Sequence, residues 1–459
     1  MTQCSTLKFD FLGRRQVVGR FDGGKISSDA GLVLVAQLDR LFGFTRRLAA
    51  CLKDRRQPGK VRHALLDELR QRIYQIAAGY EDCNDADTLA SDPVLKVACG
   101  RNPETGRDLA SQPTLSRFEN AVSGVELYRM AEVFADFFLE GYQRAPQEIV
   151  LDLDATDDPT HGQQELTYFH GYYGTYCYLP LLVFAQADGG PHWPLAAVLR
   201  PGNVHAGKGS VAVLERVVAR LREAWPEVRI TMRGDSGEAL PEVYEWCENA
   251  GVDYLIGLAR NSRLLALAEP FLEAAREEHR QTGETVRHYH DLSYAADSWK
   301  DEEGQPKLRR VVVKAEVSAK GDNPRFVVTS LDGLTAEGAF AQSADDLYDL
   351  YADRGDVENR IKELKNDLCS GRTSCHRFLA NQFRLLLHAA AYVLWTLMRQ
   401  FLAGTELASA QVGTLRLRLI KVGVRVVQTA RRVWLHLASS YPWAALWQLL
   451  AMRLRAGPG

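Results

Sequence analysis

The first third of the chain contains stretches in which apolar residues recur at helical spacing. These stretches cover residues 27–42, 61–80 and 115–142. Clusters of Gly, Pro, Asn and Asp separate them, and such clusters are typical of turns. The pattern predicts a mostly helical N-terminal region over residues 1–146. The third stretch, which the segment SQPT precedes, is compatible with either a DNA-reading helical unit or a plain helical bundle.

From residue 147 the pattern changes to short apolar runs that are typical of buried strands. Three runs follow one another, QEIVLDLDAT, YCYLPLLVFAQ and HWPLAAVLRPGN. Two further strands, VRITMRGD and VDYLIGLA, then alternate with helical stretches. Strands followed by a β-α-β alternation predict an α/β fold whose mixed sheet carries flanking helices. We place the first part of this core at residues 147–255.

Residues 256–340 interrupt that rhythm with a charged helix and the β-rich pieces RRVVVKAEV and PRFVVTSL, so we interpret them as an insertion into the sheet domain. A long amphipathic helix is predicted from 343 to 367, within a last part of the core at 341–405. The apolar run 385–398 is shorter than the roughly 20 residues that cross a bilayer, so no membrane partner is expected. A basic segment, 406–459, ends the chain.

The composition fits a soluble globular protein. The 459 residues are 46% hydrophobic and 25% charged, which is average, and the length suggests two to four domains. Eight cysteines are scattered without a C-x-x-C pair, so neither a disulfide framework nor a zinc module is indicated. The first residues lack the apolar region of a signal peptide. We therefore expect a cytoplasmic location.

Charge is distributed unevenly, although the net charge is only −2. Residues 1–60 hold twelve Lys and Arg against five Asp, and residues 407–459 hold eight Lys and Arg and no acid, which leaves −17 for residues 61–406. Positive ends suit contacts with DNA phosphates, and acidic side chains suit divalent cations. Two alternatives remain: the charges are ordinary solvated faces, or the basic end pairs with the acidic middle.

Three aspartates lie where predicted strands end. Asp152 and Asp154 alternate with Leu in the first strand, so both point to one face. Asp235 follows the strand VRITMRG, at a carboxyl end where open α/β sheets place ligands. The aspartates of the two strands could meet there. Taken singly, each is as compatible with a turn or helix-cap role as with function.

The predicted helix 343–367 carries a cationic stripe with one acid in it. Ser343 offers an N-terminal cap. On an ideal helix Tyr351, Arg354, Glu358 and Lys365 share one face. A carboxylate among Tyr, Arg and Lys suits a site that holds a metal ion together with a phosphodiester. The alternative is a stripe of surface salt bridges.

These residues resemble the DDE transposases of bacterial insertion sequences that have an RNase H-like core. The family spacing Y-x2-R-x3-E-x6-K is matched by Tyr351, Arg354, Glu358 and Lys365. Its first aspartate, in a D-x-T context, is matched by Asp154, and its second, in a D-[ST]-G context, by Asp235. The likeness covers roughly residues 110–400 and both ends poorly. Asp152 leaves the choice of the first acid open.

The resemblance implies a Mg²⁺-dependent enzyme that cleaves the ends of a DNA element and joins them to target DNA. It implies that Asp154, Asp235 and Glu358 are catalytic and hold two Mg²⁺ ions, which Mn²⁺ may replace. Arg354 and Lys365 would grip DNA phosphates, and Tyr351 would position the DNA. Double-stranded DNA, both terminal inverted repeats and target, is the expected partner, bound by a homodimer.

Three interpretations stay open at this point. Trp299 would stack on a displaced base, or it is a core residue of a small domain. An RNase H-like nuclease selective for DNA structure, which cuts but does not join, is one alternative function. A DNA-binding regulator that keeps the fold without catalysis is the other.

Overall fold

The structure is a computed structural model and describes residues 6–331 and 342–457. The described helices, in chain order, are α1 Leu32–Phe42, α2 Phe44–Ala50, α3 Leu65–Ala77, α4 Asp85–Leu89, α5 Pro93–Ala98, α6 Gln112–Asn120, α7 Gly124–Glu140, α8 Ser210–Ala224, α9 Pro241–Ala250, α10 Ser262–Thr282, α11 Ala344–Ala352, α12 Gly355–Lys362, α13 Phe378–Phe401, α14 Val412–Leu415 and α15 Ala444–Ala456. Short 3₁₀ turns occur at Pro58–Lys60 and Ser236–Glu238, and π-helical turns at Glu363–Asp367 and Arg416–Ile420.

The described strands, in chain order, are β1 Leu7–Phe9, β2 Val17–Gly19, β3 Lys25–Ser27, β4 Glu148–Ala155, β5 Asp158–Pro159, β6 Tyr168–His170, β7 Thr175–Tyr178, β8 Leu181–Ala187, β9 Trp193–Val198, β10 Arg229–Gly234, β11 Asp253–Leu258, β12 Val286–Tyr294, β13 Arg309–Ser318, β14 Gly321–Asp322, β15 Arg325–Thr329, β16 Val424–Gln428 and β17 Val433–Leu437. The chain forms two compact units. Unit 1 contains the described residues up to Leu127, Glu363–Arg372 and those from Leu386 onward; unit 2 contains the described residues of Tyr128–Lys362 and Thr373–Leu385.

Unit 2 is built on a nine-stranded mixed sheet. Its strands run in the order β12-β13-β15-β11-β10-β4-β8-β9, and β14 pairs with β13. Strand β8 is antiparallel to both β4 and β9, whereas β10 is parallel to both β4 and β11. Fully buried side chains such as Leu151, Leu153 and Val183 cover the centre of this sheet. The predicted α/β fold with a mixed sheet and flanking helices is confirmed.

The region interpreted as an insertion is rich in strands but does not form a sheet of its own. Strand β15 pairs with β11, β13 with β15, and β12 with β13, all antiparallel. The insertion therefore enlarges the central sheet at the β11 side. Hydrophobic periodicity identifies such strands but not the partners they pair with over long distances in sequence. Residues 332–341, which include the predicted boundary at 340, lie outside the described residues.

Unit 1 combines the N-terminal helices with a three-stranded sheet that the sequence pattern did not predict. In this sheet β16 pairs with β17 and also with β3, so strands from the two ends of the chain are neighbours. The backbone at Gly31 lies directly against the backbone of Leu419. A Cβ added to Gly31 would lie 1.9 Å from the Leu419 carbonyl oxygen. Only glycine fits there.

The basic C-terminal segment finds several partners within unit 1. Lys421 pairs with the buried Asp29 at 2.8 Å, Arg416 donates to the Asp367 carbonyl, and Arg418 lies over the Trp443 ring. Arg425, Arg431 and Arg432 are exposed. Part of this segment is thus held by contacts within the protein, although Asp29 lies in the N-terminal region and not in the acidic middle. Its contact with DNA stays a prediction.

The helix predicted over 343–367 is interrupted. Ser343 caps it by accepting a hydrogen bond from the Asp346 amide at 3.3 Å. Helix α11 then stops at Ala352, and α12 begins at Gly355, a residue with low helix propensity. A π-helical turn follows at Glu363–Asp367. The single straight stripe expected from ideal geometry is therefore wrong, although its residues keep defined positions, as described below.

Among the residues that the structure describes, no helix is both long and apolar enough to cross a membrane.

Candidate active site

Two of the predicted acids lie side by side at one edge of the sheet in unit 2. Strands β4 and β10 are parallel, with Arg233 opposite Asp152 and Gly234 opposite Leu153. One further residue along each strand brings the chain to Asp154 and Asp235. The parallel register thus places both carboxylates at the carboxyl ends of neighbouring strands.

The Asp235 carboxylate also organises the turn that follows its strand. Its Oδ1 accepts a hydrogen bond from the Gly237 amide at 2.8 Å and so caps the 3₁₀ turn Ser236–Glu238. Gly234 leaves room for this turn, because an added Cβ would lie 2.9 Å from the Glu238 side chain. The orientation of Asp235 is therefore fixed by its own backbone.

Asp152, the alternative first acid, is part of a buried ion pair. Its two carboxylate oxygens accept hydrogen bonds from Nε and Nη2 of Arg233, both at 2.8 Å. Both side chains are almost fully buried, and Arg233 also donates to the Leu350 carbonyl at 2.7 Å. This bidentate pair joins β4, β10 and α11 and engages both carboxylate oxygens of Asp152. Of the two aspartates, Asp154 is the one placed with Asp235.

Arg354 connects the third acid to the first. Its Nη1 donates to Glu358 Oε1 at 2.8 Å, and its Nη2 lies 3.3 Å from Asp154 Oδ1. Arg354 is largely buried, whereas half of the Glu358 side chain is exposed. The interruption between α11 and α12 puts Arg354 at the point where its guanidinium reaches both acids. In this arrangement Arg354 contacts protein carboxylates, whereas the resemblance implies that it grips DNA phosphates.

Tyr351 lies against the same edge of the sheet. It packs on the cluster that contains Leu255, Val312 and Leu347, and an added Cβ at Gly257 would lie 2.5 Å from its hydroxyl oxygen. Burial raises the pKa of Tyr351. The charge of Arg354 lowers this pKa, and the nearby charges of Asp235 and Glu358 raise it further. The glycine in β11 therefore makes space for the tyrosine beside the acids.

The electrostatics of Asp154 reflect this crowding. Burial raises its pKa to about 6, the charges of Asp235 and Glu358 add to the rise, and Arg354 opposes it. A carboxylate that is costly to ionise in the fold is one that gains from a bound cation. Within the described ranges, no three His, Cys, Asp or Glu side chains are placed so that they could together hold a metal ion, and the Arg354 guanidinium bridges two of the three acids.

Glu238 is a further acid near the site that the sequence interpretation missed. It is 1% exposed, and neither carboxylate oxygen has a hydrogen-bond partner of good geometry among the described residues. Burial raises its pKa to about 7, with added rises from Asp235 and Asp154 and opposition from the nearby Ser210 hydroxyl and Arg200. Its position three residues after Asp235, in the sequence DSGE, was the available indication.

Two predicted site residues remain, Lys365 and Trp299. Lys365 is in the π-helical turn Glu363–Asp367, which belongs to unit 1. Trp299 is 3% exposed and packs edge-on against the Tyr244 and Tyr294 rings, with the Arg309 guanidinium over its face. The structure therefore corrects the stacking interpretation for Trp299: its ring is buried in the core, as the alternative held.

Comparison with known protein families matches nearly the whole chain. The model of the transposase DDE domain group 1 covers residues 9–458. The chain belongs to this family. The transposase also matches a solved structure, the cryo-EM structure of a piggyBac transposase synaptic complex with hairpin DNA, at 10% identity and a TM-score of 0.41 over 86% of this chain and 79% of the other. That likeness does not by itself establish a shared fold. No curated protein matches the transposase significantly.

The burial of Asp154 predicts a pH-dependent effect on the stability of the transposase. Because the pKa rises from 3.8 to about 6 on folding, the fold favours the protonated acid, and its contribution to stability is lost as the pH rises through 6. An amide carries no such charge. We therefore expect Asp154→Asn to raise the free energy of unfolding by about 2–3 kcal/mol at pH 8 in metal-free buffer, with a smaller gain at pH 5.

Urea denaturation in EDTA at the two pH values measures this difference. Asp356→Asn is the matched control, because Asp356 is an exposed acid on α12. The control should show little change at either pH. An Asp154→Asn gain that is equal at pH 5 and pH 8, or absent, would contradict the electrostatic account of this site.

Proposed function

We propose that this DDE transposase cleaves the ends of an insertion sequence and joins them to target DNA by two-metal-ion chemistry at Asp154, Asp235 and Glu358. The observation that carries the proposal is the convergence of these carboxylates at one edge of the sheet, where burial and the neighbouring acids raise the pKa of Asp154 to about 6. Such shifts concentrate where groups are held for chemistry.

The donor set fits Mg²⁺, or Mn²⁺ in its place, because carboxylate oxygens are the ligands that these ions prefer. Asp154, Asp235 and Glu358 would hold the ions. Bound there, two divalent ions supply activation of a water or 3′-hydroxyl nucleophile and stabilisation of the leaving oxygen. Asp154 and Asp235 are rigid donors, since Asp154 lies within β4 opposite Leu182 of β8 and Asp235 caps the 3₁₀ turn that directly follows β10. Glu358, half exposed on α12, is the more adjustable one.

Arg354 has two tasks in this proposal. It holds the carboxylates of Asp154 and Glu358 near each other and compensates part of their charge. Its guanidinium is also the cation nearest to where a scissile phosphate must bind, so it would pass from the carboxylates to the phosphate when DNA and metal arrive. Tyr351, held beside Gly257, would position the DNA, and Lys365 would contact a phosphate.

Double-stranded DNA is the proposed partner, as element ends and as target. An element has two ends, and each needs a set of three acids for its cleavage. A homodimer on DNA, one chain for each end, meets this requirement with one set from each chain.

A strand-transfer assay tests the function. The purified protein is incubated with labelled duplexes that carry the inverted repeats flanking its coding sequence, with a supercoiled plasmid, and with Mg²⁺. We expect 3′-hydroxyl ends at the repeat boundary and covalent insertion of the label into the plasmid. Cleavage without insertion would indicate the nuclease alternative, and DNA binding without either reaction would indicate a regulator. Replacing Mg²⁺ by Ca²⁺ controls for metal-dependent binding.

A further inference from the structure

Unit 1 contains a cavity of about 570 Å³ whose lining is rich in cationic side chains. The lining comes from residues 53–63, which include the 3₁₀ turn Pro58–Lys60, from the start of α3, and from α6 with residues that flank it. The cationic side chains at the cavity are Lys53, Arg55, Arg56, Lys60, Arg62 and Arg117. The acids in the lining are Asp54 and Glu68.

Both acids are neutralised within the protein. Arg56 binds them together, with Nη2 at 2.7 Å from Asp54 and Nη1 at 2.6 Å from Glu68. Arg55 pairs with Glu126 at 3.1 Å, outside the cavity lining. The surplus positive charge of the cavity is therefore carried by other residues.

Four cations of the lining, Lys53, Lys60, Arg62 and Arg117, have no acidic partner among the described residues. Lys53, Lys60 and Arg62 are exposed, and no carboxylate in the described ranges lies within ion-pair distance of their side chains. Arg101 and Arg107 lie near His63 and add to the local positive potential. Burial and the charges of these two arginines lower the pKa of His63. Like charges gathered around a cavity are favourable when an anion neutralises them.

Helix α6 presents a polar face to the same cavity. Ser111, Thr114 and Arg117 line it, and Arg117 Nη2 donates to the Thr114 hydroxyl at 3.2 Å. On the opposite face, Glu119 accepts a hydrogen bond from the buried Arg72 of α3 at 2.7 Å. This hydrogen bond holds one face of α6 against α3. The opposite face, which we call the front face, is directed at the cavity and carries hydroxyl and guanidinium groups.

We propose that this cavity and the front face of α6 form a docking site for duplex DNA. Lys53, Lys60 and Arg62 bind the phosphates, and α6 is directed at a groove through Thr114 and Arg117. Flanking cations with a rigid polar helix between them are the arrangement by which helical units bind duplexes. The proposal rests on the proposed function only in that DNA is the substrate.

An acidic protein is the less suitable occupant of this surface. Protein interfaces combine charge with exposed apolar or aromatic groups in their centre. Here two of the three large apolar side chains of the lining, Leu109 and Phe118, are 4% and 5% exposed, and the third, Leu65, is half-buried. The accessible groups are those that contact phosphates and base edges.

The test measures DNA binding without divalent cations, so that it does not depend on cleavage. Fluorescence anisotropy with labelled duplexes, one of random sequence and one carrying the flanking inverted repeats, is recorded over a series of salt concentrations. We expect Lys53→Ala/Lys60→Ala/Arg62→Ala to weaken both complexes more than tenfold. Each lost phosphate contact should lower the slope of log affinity against log salt by about 0.9.

The matched control removes three exposed cations from unit 2, as Arg129→Ala/Arg144→Ala/Lys320→Ala. Equal salt slopes for the two triple variants would overturn the proposal, provided that both unfold at the wild-type temperature. A triple variant with unchanged DNA binding that loses an acidic protein partner would also overturn it. Failure of the wild-type protein to bind either duplex would instead contradict the proposed function.

Arg117→Ala separates recognition from phosphate binding. If α6 reads a groove, this variant should lose its preference for the inverted-repeat duplex while keeping most of its affinity for the random duplex. An equal loss for both duplexes would limit the site to phosphate contacts and overturn the groove assignment.

Discussion

Replacing Glu358 by Gln is expected to reduce strand cleavage at the element end by about a thousandfold or more. The amide keeps the shape of the side chain but loses the charge with which it would help to hold two divalent ions, and the loss corresponds to about 4 kcal/mol of transition-state stabilisation. Half of the Glu358 side chain is exposed, so the variant should fold normally. Asp154→Asn and Asp235→Asn should show losses of similar size.

Single-turnover cleavage of a labelled end duplex in Mg²⁺ measures the effect, and anisotropy confirms that the DNA is still bound. Asp356→Asn provides the control, because it removes one exposed carboxylate from the same helix. Cleavage by Glu358→Gln at the rate of this control would show that the third acid has been misidentified.

Replacing Asp152 by Ala is expected to destabilise unit 2 severely, by about 3–5 kcal/mol. With Asp154 as the first acid, the sequence pattern by itself gives Asp152 no required role. The structure changes that expectation, because the substitution leaves Arg233 charged and buried without its bidentate partner. Reduced activity of this variant would follow from unfolding and not from lost chemistry.

The unfolding midpoint in urea measures the loss of stability. Glu148→Ala is a close control, since Glu148 pairs with Arg229 on the same two strands but both side chains are more than half exposed. Such a surface pair contributes at most about 1 kcal/mol. Combining Asp152→Leu with Arg233→Met should recover much of the stability, because no charge is then left unpaired. Equal midpoints for Asp152→Ala and Glu148→Ala would contradict this account.

The sequence predicts the strand acids well for a simple physical reason. A buried strand of alternating leucine and aspartate fixes which face each side chain occupies, and the end of a strand marks the edge of the sheet. What alternation does not show is the neighbour of each acid. The same alternation of leucine and aspartate contains both residues, yet Asp152 pairs with Arg233 on the neighbouring strand and Asp154 lies near other acids.

The helix that carries Glu358 shows the opposite case. Its stripe was derived from an unbroken helix, but the chain is interrupted just before Gly355, and a π-helical turn follows α12. Ion pairs between Arg354 and two carboxylates accompany the interruption, and one of those carboxylates lies 200 residues earlier in the chain. Local propensity contains no information on such a partner. The sequence does not identify Glu238 for a similar reason, since the burial of its side chain depends on tertiary packing.

The pairing of β3 with β16 has a consequence for how the enzyme is made. Val424–Gln428 are synthesised nearly 400 residues after their partner strand Lys25–Ser27. The three-stranded sheet of unit 1 therefore forms only after that whole stretch has been translated, and closing so long a loop slows this step. A product shortened before residue 424 lacks the closing strand, so β3 is left without the partner that it has in the folded chain.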